Sequence, residues 1–278
     1  MYLLLALSSG ILWGVQDFGF GRYGRVMSRY SILLLSASGA ALTYLIAGLL
    51  RHDISLDLID VRDGLLAGFL ELASAVFLLK AFTMGKLGVV TGVNASFVLI
   101  PLGYSLTIGE TISANEIAGG LVILIGLAIL FRLVDGDTGS GSRPVASVGF
   151  ALASAISFGS ALVVLDIGSR DNLYGTLFVG QLPIIAVSLL MLAMAKSFGG
   201  MRTRDIGPLV GTGVALGLAG IAFYTAADHG DLGIASVLSS TSPAVTALLA
   251  FLFLKEKMIR TEIAALGVVL TGVALIVI

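Results

Sequence analysis

The sequence predicts an all-α membrane protein of ten transmembrane helices, arranged as a 5+5 inverted-topology repeat. Three observations carry that prediction. The 278 residues are 57% hydrophobic and only 12% charged, with a mean hydropathy of +1.05. A soluble domain carries roughly 25% charge because its surface must be wet, so most of this surface faces lipid. Ten apolar runs are each long enough to cross a bilayer as helix, which takes about 20 residues. Finally, one pattern occurs twice about half a chain apart. In Ala81–Pro101 and Tyr224–Pro243, Gly85 answers Gly230, Leu87-Gly88 answers Leu232-Gly233, and Thr91 answers Ser236. One residue of slippage later, Glu110 answers Glu256, Glu116 answers Glu262 and Gly126 answers Gly272. Doubling within a hydrophobic chain is the signature of transporters built from repeats.

The runs follow in order. Residues 2–21 enter an apolar stretch with no basic n-region and no small-x-small cleavage site, which reads as a retained helix. Residues 30–50 lie between Arg29 and Arg51, and 63–84 follow a loop with His52, Asp53, Asp57, Asp60 and Asp63, read as a solvated edge. The fourth run, 87–108, starts after Gly85-Lys86 and ends at Gly109-Glu110; 113–132 closes on Arg132. The Gly/Ser-rich segment around 134–145 is a flexible linker. It divides a first five-helix repeat (1–133) from a second (146–278). There the runs are 146–168, 174–196, 207–228, 232–254 and 260–278. The eighth stops at Asp228-His229-Gly230, and the ninth carries Ser236, Ser239, Ser240, Thr241 and Ser242 before Pro243 and Lys255. An odd number per half makes the second half enter the membrane the opposite way up. A closed barrel is the other architecture lipid permits, but ten-residue alternating strands are absent.

The odd-numbered loops hold twelve Lys and Arg and the even-numbered loops three, namely Arg51, Arg62 and Arg170. Positive residues stay in the cytoplasm, so this bias places both termini outside. A net charge of −1 with no basic block argues against nucleic acid as a partner. There is no Cys, which excludes disulfides and thiolate chemistry. No Walker loop, dinucleotide fingerprint or G-x-S-x-G elbow is present, so no cofactor, ATP drive or hydrolase activity is expected. The seams Gly10-x-x-x-Gly14, Gly64-x-x-x-Gly68 and Gly213-x-x-x-Gly217 read as helix packing.

Leu12-Trp13-Gly14, matched by Ile156-Ser157-Phe158-Gly159, resembles the EamA-like group of the drug/metabolite transporter superfamily. So do the Pro-bearing helices, the Gly-Glu or Lys-Glu corners and the Gly-rich last helix. The resemblance covers essentially the whole chain. It implies a secondary carrier of small organic solutes in the cell membrane, with a cavity between helices 1–4 and 6–9 and helices 5 and 10 as outer braces. It also implies termini in the cytoplasm, opposite to the charge bias. The chain departs from the pattern in having Asn94 and Ser96 opposite Pro243, with Pro101 further along, so the two walls are expected to bend at different depths.

Polar groups inside apolar runs are costly and by default face a cavity. Glu71 lies near the middle of its helix, where an ionised carboxylate costs roughly 2.5–3.5 kcal/mol on insertion scales. It is a candidate proton carrier, or a counter-charge for a cationic substrate; the alternative is a hydrogen-bonded packing Glu. Trp13, Gln16 and Asp17 share one broad helix face, able to hold an organic cation or the amino group of a zwitterion. For Asp17 the alternative is an ion pair with Arg22. Phe158, the repeat mate of Trp13, reads mainly as packing. Asn94, Ser239 and Ser240 are the hydroxyl and amide candidates, against the tendency of Ser and Thr to bond back to their own helix. Tyr44, Gln181 and Tyr224 complete the substrate-binding set. Asp166 and Arg170 read as a surface i,i+4 pair and Lys80 as a snorkelling side chain. With two His, the Asp228-His229-Asp231 corner is a poor metal site, and no metal is expected. The reading is a carrier, not an enzyme, moving an amino acid or related metabolite by alternating access, with export and proton coupling through Glu71 both open. The alternatives are a quaternary-ammonium, drug-like or nucleotide-linked solute, a channel, or a membrane-embedded enzyme. The partners expected are a small-molecule substrate and the bilayer; a monomer is compatible with all of this.

Overall fold

The computed structural model describes residues 2–52, 54–109, 113–135, 144–170, 172–230, 232–255 and 260–277. Among the described residues there is no strand. The helices are α1 (Tyr2–Gly24), α2 (Arg29–Arg51), α3 (Leu58–Phe82), α4 (Leu87–Asn94), α5 (Leu99–Thr107), α6 (Ala114–Asp135), α7 (Pro144–Ser169), α8 (Leu173–Ala195), α9 (Thr203–Asp228), α10 (Leu232–Ser239), α11 (Ser242–Leu249) and α12 (Arg260–Val277). Eight stretches are long and apolar enough to cross a membrane, against the ten expected. The two remaining predicted segments are helical, as α6 and α12, and pack against each other. Large side chains such as Leu4, Leu50, Phe69, Leu190 and Phe253 are exposed on the outer surface. Water would penalise that surface and lipid would not, so the chain is an integral membrane protein.

The boundaries correct several expectations. The third segment starts at Leu58, so Asp60 and Asp63 belong to the helix rather than to a solvated edge, and both are buried. Asn172 of the other half explains this. Its amide donates to Asp60 Oδ2 at 3.0 Å and to the Ser55 carbonyl, while its Oδ1 accepts from Gly175 N at 3.1 Å and caps α8. Arg62 neutralises Asp63 at 2.7 Å. The expected linker is also shorter at both ends, because α6 continues to Asp135 and α7 starts at Pro144; residues 136–143, with Glu110, Glu256 and Asp231, lie outside the described residues.

The fourth and ninth segments are broken rather than continuous. The chain leaves α4 at Asn94, makes a 3-10 turn over Ala95–Val98 and resumes as α5, in whose first turn Pro101 sits. Its counterpart leaves α10 at Ser239 and resumes as α11 with Pro243 near its start. A proline removes the bond to the carbonyl four residues earlier, that of Phe97 for Pro101 and of Ser239 for Pro243, and the α-helical bonding lapses about one turn before each proline. Asn94 and Ser239, the last residues of α4 and α10, stand at corresponding positions of the doubled pattern.

Packing repeats this correspondence. α1 lies on α9 and α3 on α7; α2 packs on both α8 and α9, and α3 also on α8; α1 meets α10 and α11, as α7 meets α4 and α5. Exchanging each helix for its counterpart returns the same set. At single-residue detail, a Cβ on Gly14 would strike the Ser242 carbonyl and the Val245 side chain, and one on Gly159 would strike the Phe97 carbonyl and the Ile100 side chain. Gly68 faces the Gly180 carbonyl, as Gly213 faces that of Ser36. Small residues here let backbones touch. α2 and α8 also end alike, on His52 (φ 52°) and Lys196 (φ 49°) in the left-handed conformation.

Loop contacts define two ends of the bundle. At one, Ser28 N donates to the Gly199 carbonyl at 3.0 Å, Arg25 Nη2 to that of Gly85 at 3.2 Å, and Ser147 Oγ to that of Ala81 at 3.2 Å. At the other, Asn172 ties the 52–57 loop to the start of α8.

Candidate functional site

Two helices turn the same spacing toward the centre. α1 contributes Trp13, Gln16, Asp17 and Phe20, and α3 contributes Glu71, Ser74, Ala75 and Leu78; each is an i, i+3, i+4, i+7 set, one face of a helix. α2 adds Leu33, Ser36 and Ala37, and the bend at Asn94 adds Asn94 and Phe97. The second half supplies Phe158, Gln181, Ile184, Leu216 and Ser242. These residues enclose a cavity of about 70 Å³, room for a few water molecules. It starts at mid-bundle and extends toward the Arg25 end, where α1 and α3 finish.

The polar groups around it are incompletely satisfied. Gln181 Nε2 donates to Glu71 Oε2 at 3.1 Å, which leaves Gln181 Oε1 buried with no partner. Trp13 Nε1, Ser36 Oγ and Asn94 Oδ1 are likewise buried and unpartnered. Asp17 is 7% exposed and makes no hydrogen bond or ion pair among the described residues. The ion pair with Arg22 is thus not formed; Arg22 lies over the Tyr23 ring instead. Orphaned buried polar groups are uncommon in folded proteins and ask for a reason. Two carboxylates, one indole N–H and two amide oxygens here face a space that a ligand or water can enter.

Above this cavity lies an aromatic layer. Trp13 meets Phe158 at 5.4 Å, Phe223 at 5.1 Å and Phe97 at 6.2 Å, and Phe223 meets Tyr224 edge-on at 4.9 Å. Beyond it, at the Asn172 end, a wider recess of about 900 Å³ is bordered by Arg51, Asp166, Arg170, Asp228, His229 and Tyr224. Asp166 and Arg170 form the expected pair at 3.1 Å, within that recess.

Of the residues expected at the site, Trp13, Gln16, Asp17, Glu71, Asn94, Phe158 and Gln181 come together around the cavity. Tyr44, Tyr224, Ser239 and Ser240 do not line it. The Tyr44 hydroxyl packs against Gly220, and the Tyr224 hydroxyl is buried without a partner beside the recess. Ser239 shares a hydroxyl–hydroxyl bond with Ser9 and donates to the Ala6 carbonyl at 3.0 Å; Ser240 donates to that of Val237 at 2.7 Å. Their hydroxyls hold helices, as do those of Ser236 and Thr241. Sequence reasoning missed Ser36, Ser74, Phe97, Leu216 and Ser242. The doubled pattern could have found one of them, since Leu216 is the counterpart of Glu71.

Among the described residues, no group of three or more acidic or His side chains could hold a metal ion. Residues 146–278 match a family described as the EamA-like transporter family. Among solved structures, one crystal structure aligns with a TM-score of 0.75 at 18% identity, covering 99% of this chain and 95% of that one. A likeness at that identity bears on fold alone. No curated protein matches the sequence.

Proposed function

Residues 146–278 match the EamA-like transporter family, and from that match we propose that the chain is a ten-span, five-plus-five inverted-repeat secondary carrier for a small organic cation or amine. That the chain is a membrane transporter of the drug/metabolite type follows from the family and the eight apolar spans. The finer reading has its own support. The exchange symmetry of the packing and the paired Gly14 and Gly159 contacts favour a doubled unit, with residues 1–133 and 146–278 as its halves.

The observation that carries the substrate class is the lining. Asp17 and Glu71 face the cavity, three aromatic rings (Trp13, Phe97 and Phe158) border it, and among the described residues no Lys, Arg or His joins them. A cation gains from both carboxylates and from the ring faces, where cation–π contact is worth about 0.5–2 kcal/mol. The amino acid suggested by the sequence needs a donor set for its carboxylate; the free Trp13 N–H and Ser36 hydroxyl favour that second reading, but neither carries charge. The cavity holds a few waters and no metabolite, so the helices must part for a solute to enter, which alternating access supplies. Glu71 is the exchange point for cation and proton.

Flux in proteoliposomes tests this. Radiolabelled tetramethylammonium and a panel of primary amines should show saturable uptake and counterflow. Glu71→Gln should fold normally and lower uptake by at least tenfold, with loss of its pH dependence. Linear conductance would make the protein a channel. Unchanged uptake and an unchanged pH profile in the variant would remove Glu71 from the mechanism.

A further inference from the structure

Two amide oxygens in the cavity lining have nothing to accept. Gln181 Nε2 donates to Glu71 Oε2 at 3.1 Å, which fixes the way that amide faces and leaves its Oε1 buried without a partner. Asn94 Oδ1 is buried and unpartnered as well, and the Asp17 carboxyl makes no hydrogen bond or ion pair among the described residues. Asn94, Gln181, Asp17 and Glu71 line one cavity. An ammonium group answers a carboxylate and amide oxygens together. It brings a full positive charge and three N–H donors, with no acceptor of its own to leave unpaired.

The way in makes those acceptors matter. At the Arg25 end the lining narrows to Phe20, Leu33 and Leu78, each four residues from the helix end there (Gly24, Arg29 and Phe82). Asp17, Ser36 and Asn94 lie seven residues in (from Gly24, Arg29 and Leu87), about 10 Å deep at 1.5 Å per residue. A cation that passes the apolar neck leaves its water behind. The loss is severe for N–H groups, which water had bonded, unless acceptors replace it. A quaternary ammonium has no N–H to satisfy, and its methyl groups would cover the two amide oxygens and leave them unpaired. The aromatic rings attract either cation, so they do not choose between the two. The amide oxygens do.

We propose that the ligand's head group is a primary ammonium, and that Asn94 and Gln181 select it over its N-methylated forms by accepting its N–H groups. Asp17 and Glu71 supply the countercharge. This rests on the cation reading of the cavity and sharpens it, because rings and carboxylates alone would accept both kinds of cation. Asn94 and Gln181 thus act as specificity-determining residues, one from each half of the chain.

n-Butylammonium and n-butyltrimethylammonium share a tail and a charge and differ only in the head. Two measurements compare them: thermal stabilisation of the purified protein in detergent, which scales with affinity, and competition against counterflow of radiolabelled tetramethylammonium in proteoliposomes. The primary amine should act at about tenfold lower concentration, the worth of one hydrogen bond from a charged donor. Asn94→Leu and Gln181→Met each remove an acceptor at nearly constant volume, and each should cut that ratio to about threefold or less. Asn94→Leu should keep the melting temperature of the ligand-free protein, since Asn94 Oδ1 has no partner to lose, so it decides the matter if Gln181→Met folds poorly. Equal or tighter binding of the quaternary ion would overturn the proposal, as would an unchanged ratio in both variants or no stabilisation by either cation. A tenfold preference in the thermal measurement without any counterflow would support the head group and sink the carrier reading instead.

Discussion

At the scale of single residues, the informative side chains are those whose polar atoms have nothing to bond. Asp17 and Glu71 were legible from sequence as residues that line a cavity, because a carboxylate inside an apolar run is expensive wherever it points. The burial of Asp60 was not, since its partner Asn172 lies 112 residues away in the chain. Serine was ambiguous for a different reason. A hydroxyl in a membrane helix can bond to its own backbone, to a neighbour or to a ligand, and Ser239 and Ser240 chose the first two. Asn172 itself offers a sharp test. It caps α8 and satisfies the Ser55 carbonyl and Asp60 at once. Replacing it with Ala leaves a buried acceptor and a helix end unpaired, each costing about 1–3 kcal/mol. Asn172→Ala should therefore lower the melting temperature in detergent, and Asp60→Asn should destabilise far less in that background than in the parent. Additive losses in the double variant would show that the two residues act independently.

At the scale of elements, eight of the ten expected spans were legible from run length among the described residues, whereas the 3-10 stretch Ala95–Val98 within the fourth was not. The sequence places Pro101 and Pro243 at different points of the doubled pattern, and proline is the usual mark of a kink. The α-helical bonding lapses about one turn before each proline, after Asn94 and after Ser239, where a proline cannot bond the carbonyl four residues earlier. The glycine seams were read correctly as packing, and their partners can now be named. Gly14 and Gly159 each face a backbone carbonyl and a branched side chain of the opposite half. Valine at either position forces two helices apart, an overpacking cost of about 1–3 kcal/mol or more where the struck atom is backbone. The two variants should destabilise the protein by similar amounts. Gly103→Ala, where nothing lies within 4 Å, should be neutral. A large difference between Gly14→Val and Gly159→Val in thermal unfolding would argue against equivalent packing in the two halves.

At the scale of the whole molecule, orientation decides which compartment the cavity addresses. The Arg25 end gathers the odd-numbered loops, where twelve Lys and Arg lie against three in the even-numbered loops. Short loops rich in these residues stay in the cytoplasm, and no comparable asymmetry of carboxylates opposes them, because Asp and Glu contribute little to the rule. The charge bias therefore predicts the acidic cavity in the cytoplasmic half and both chain ends outside, opposite to the cytoplasmic termini that the resemblance implies. A cation captured by Asp17 and Glu71 from inside and released on the opposite side would be moving outward, as an exporter requires. A protease-cleavable reporter on the C-terminus settles the matter. It should be cut in intact right-side-out vesicles and protected in inverted ones. Placing three Lys in the 229–230 turn and replacing Arg22, Arg25 and Arg29 with Gln should reduce the bias and yield a mixed population. Protection of the reporter in right-side-out vesicles would reverse the assignment, turning the acidic mouth outward and the direction of cation capture from export to uptake.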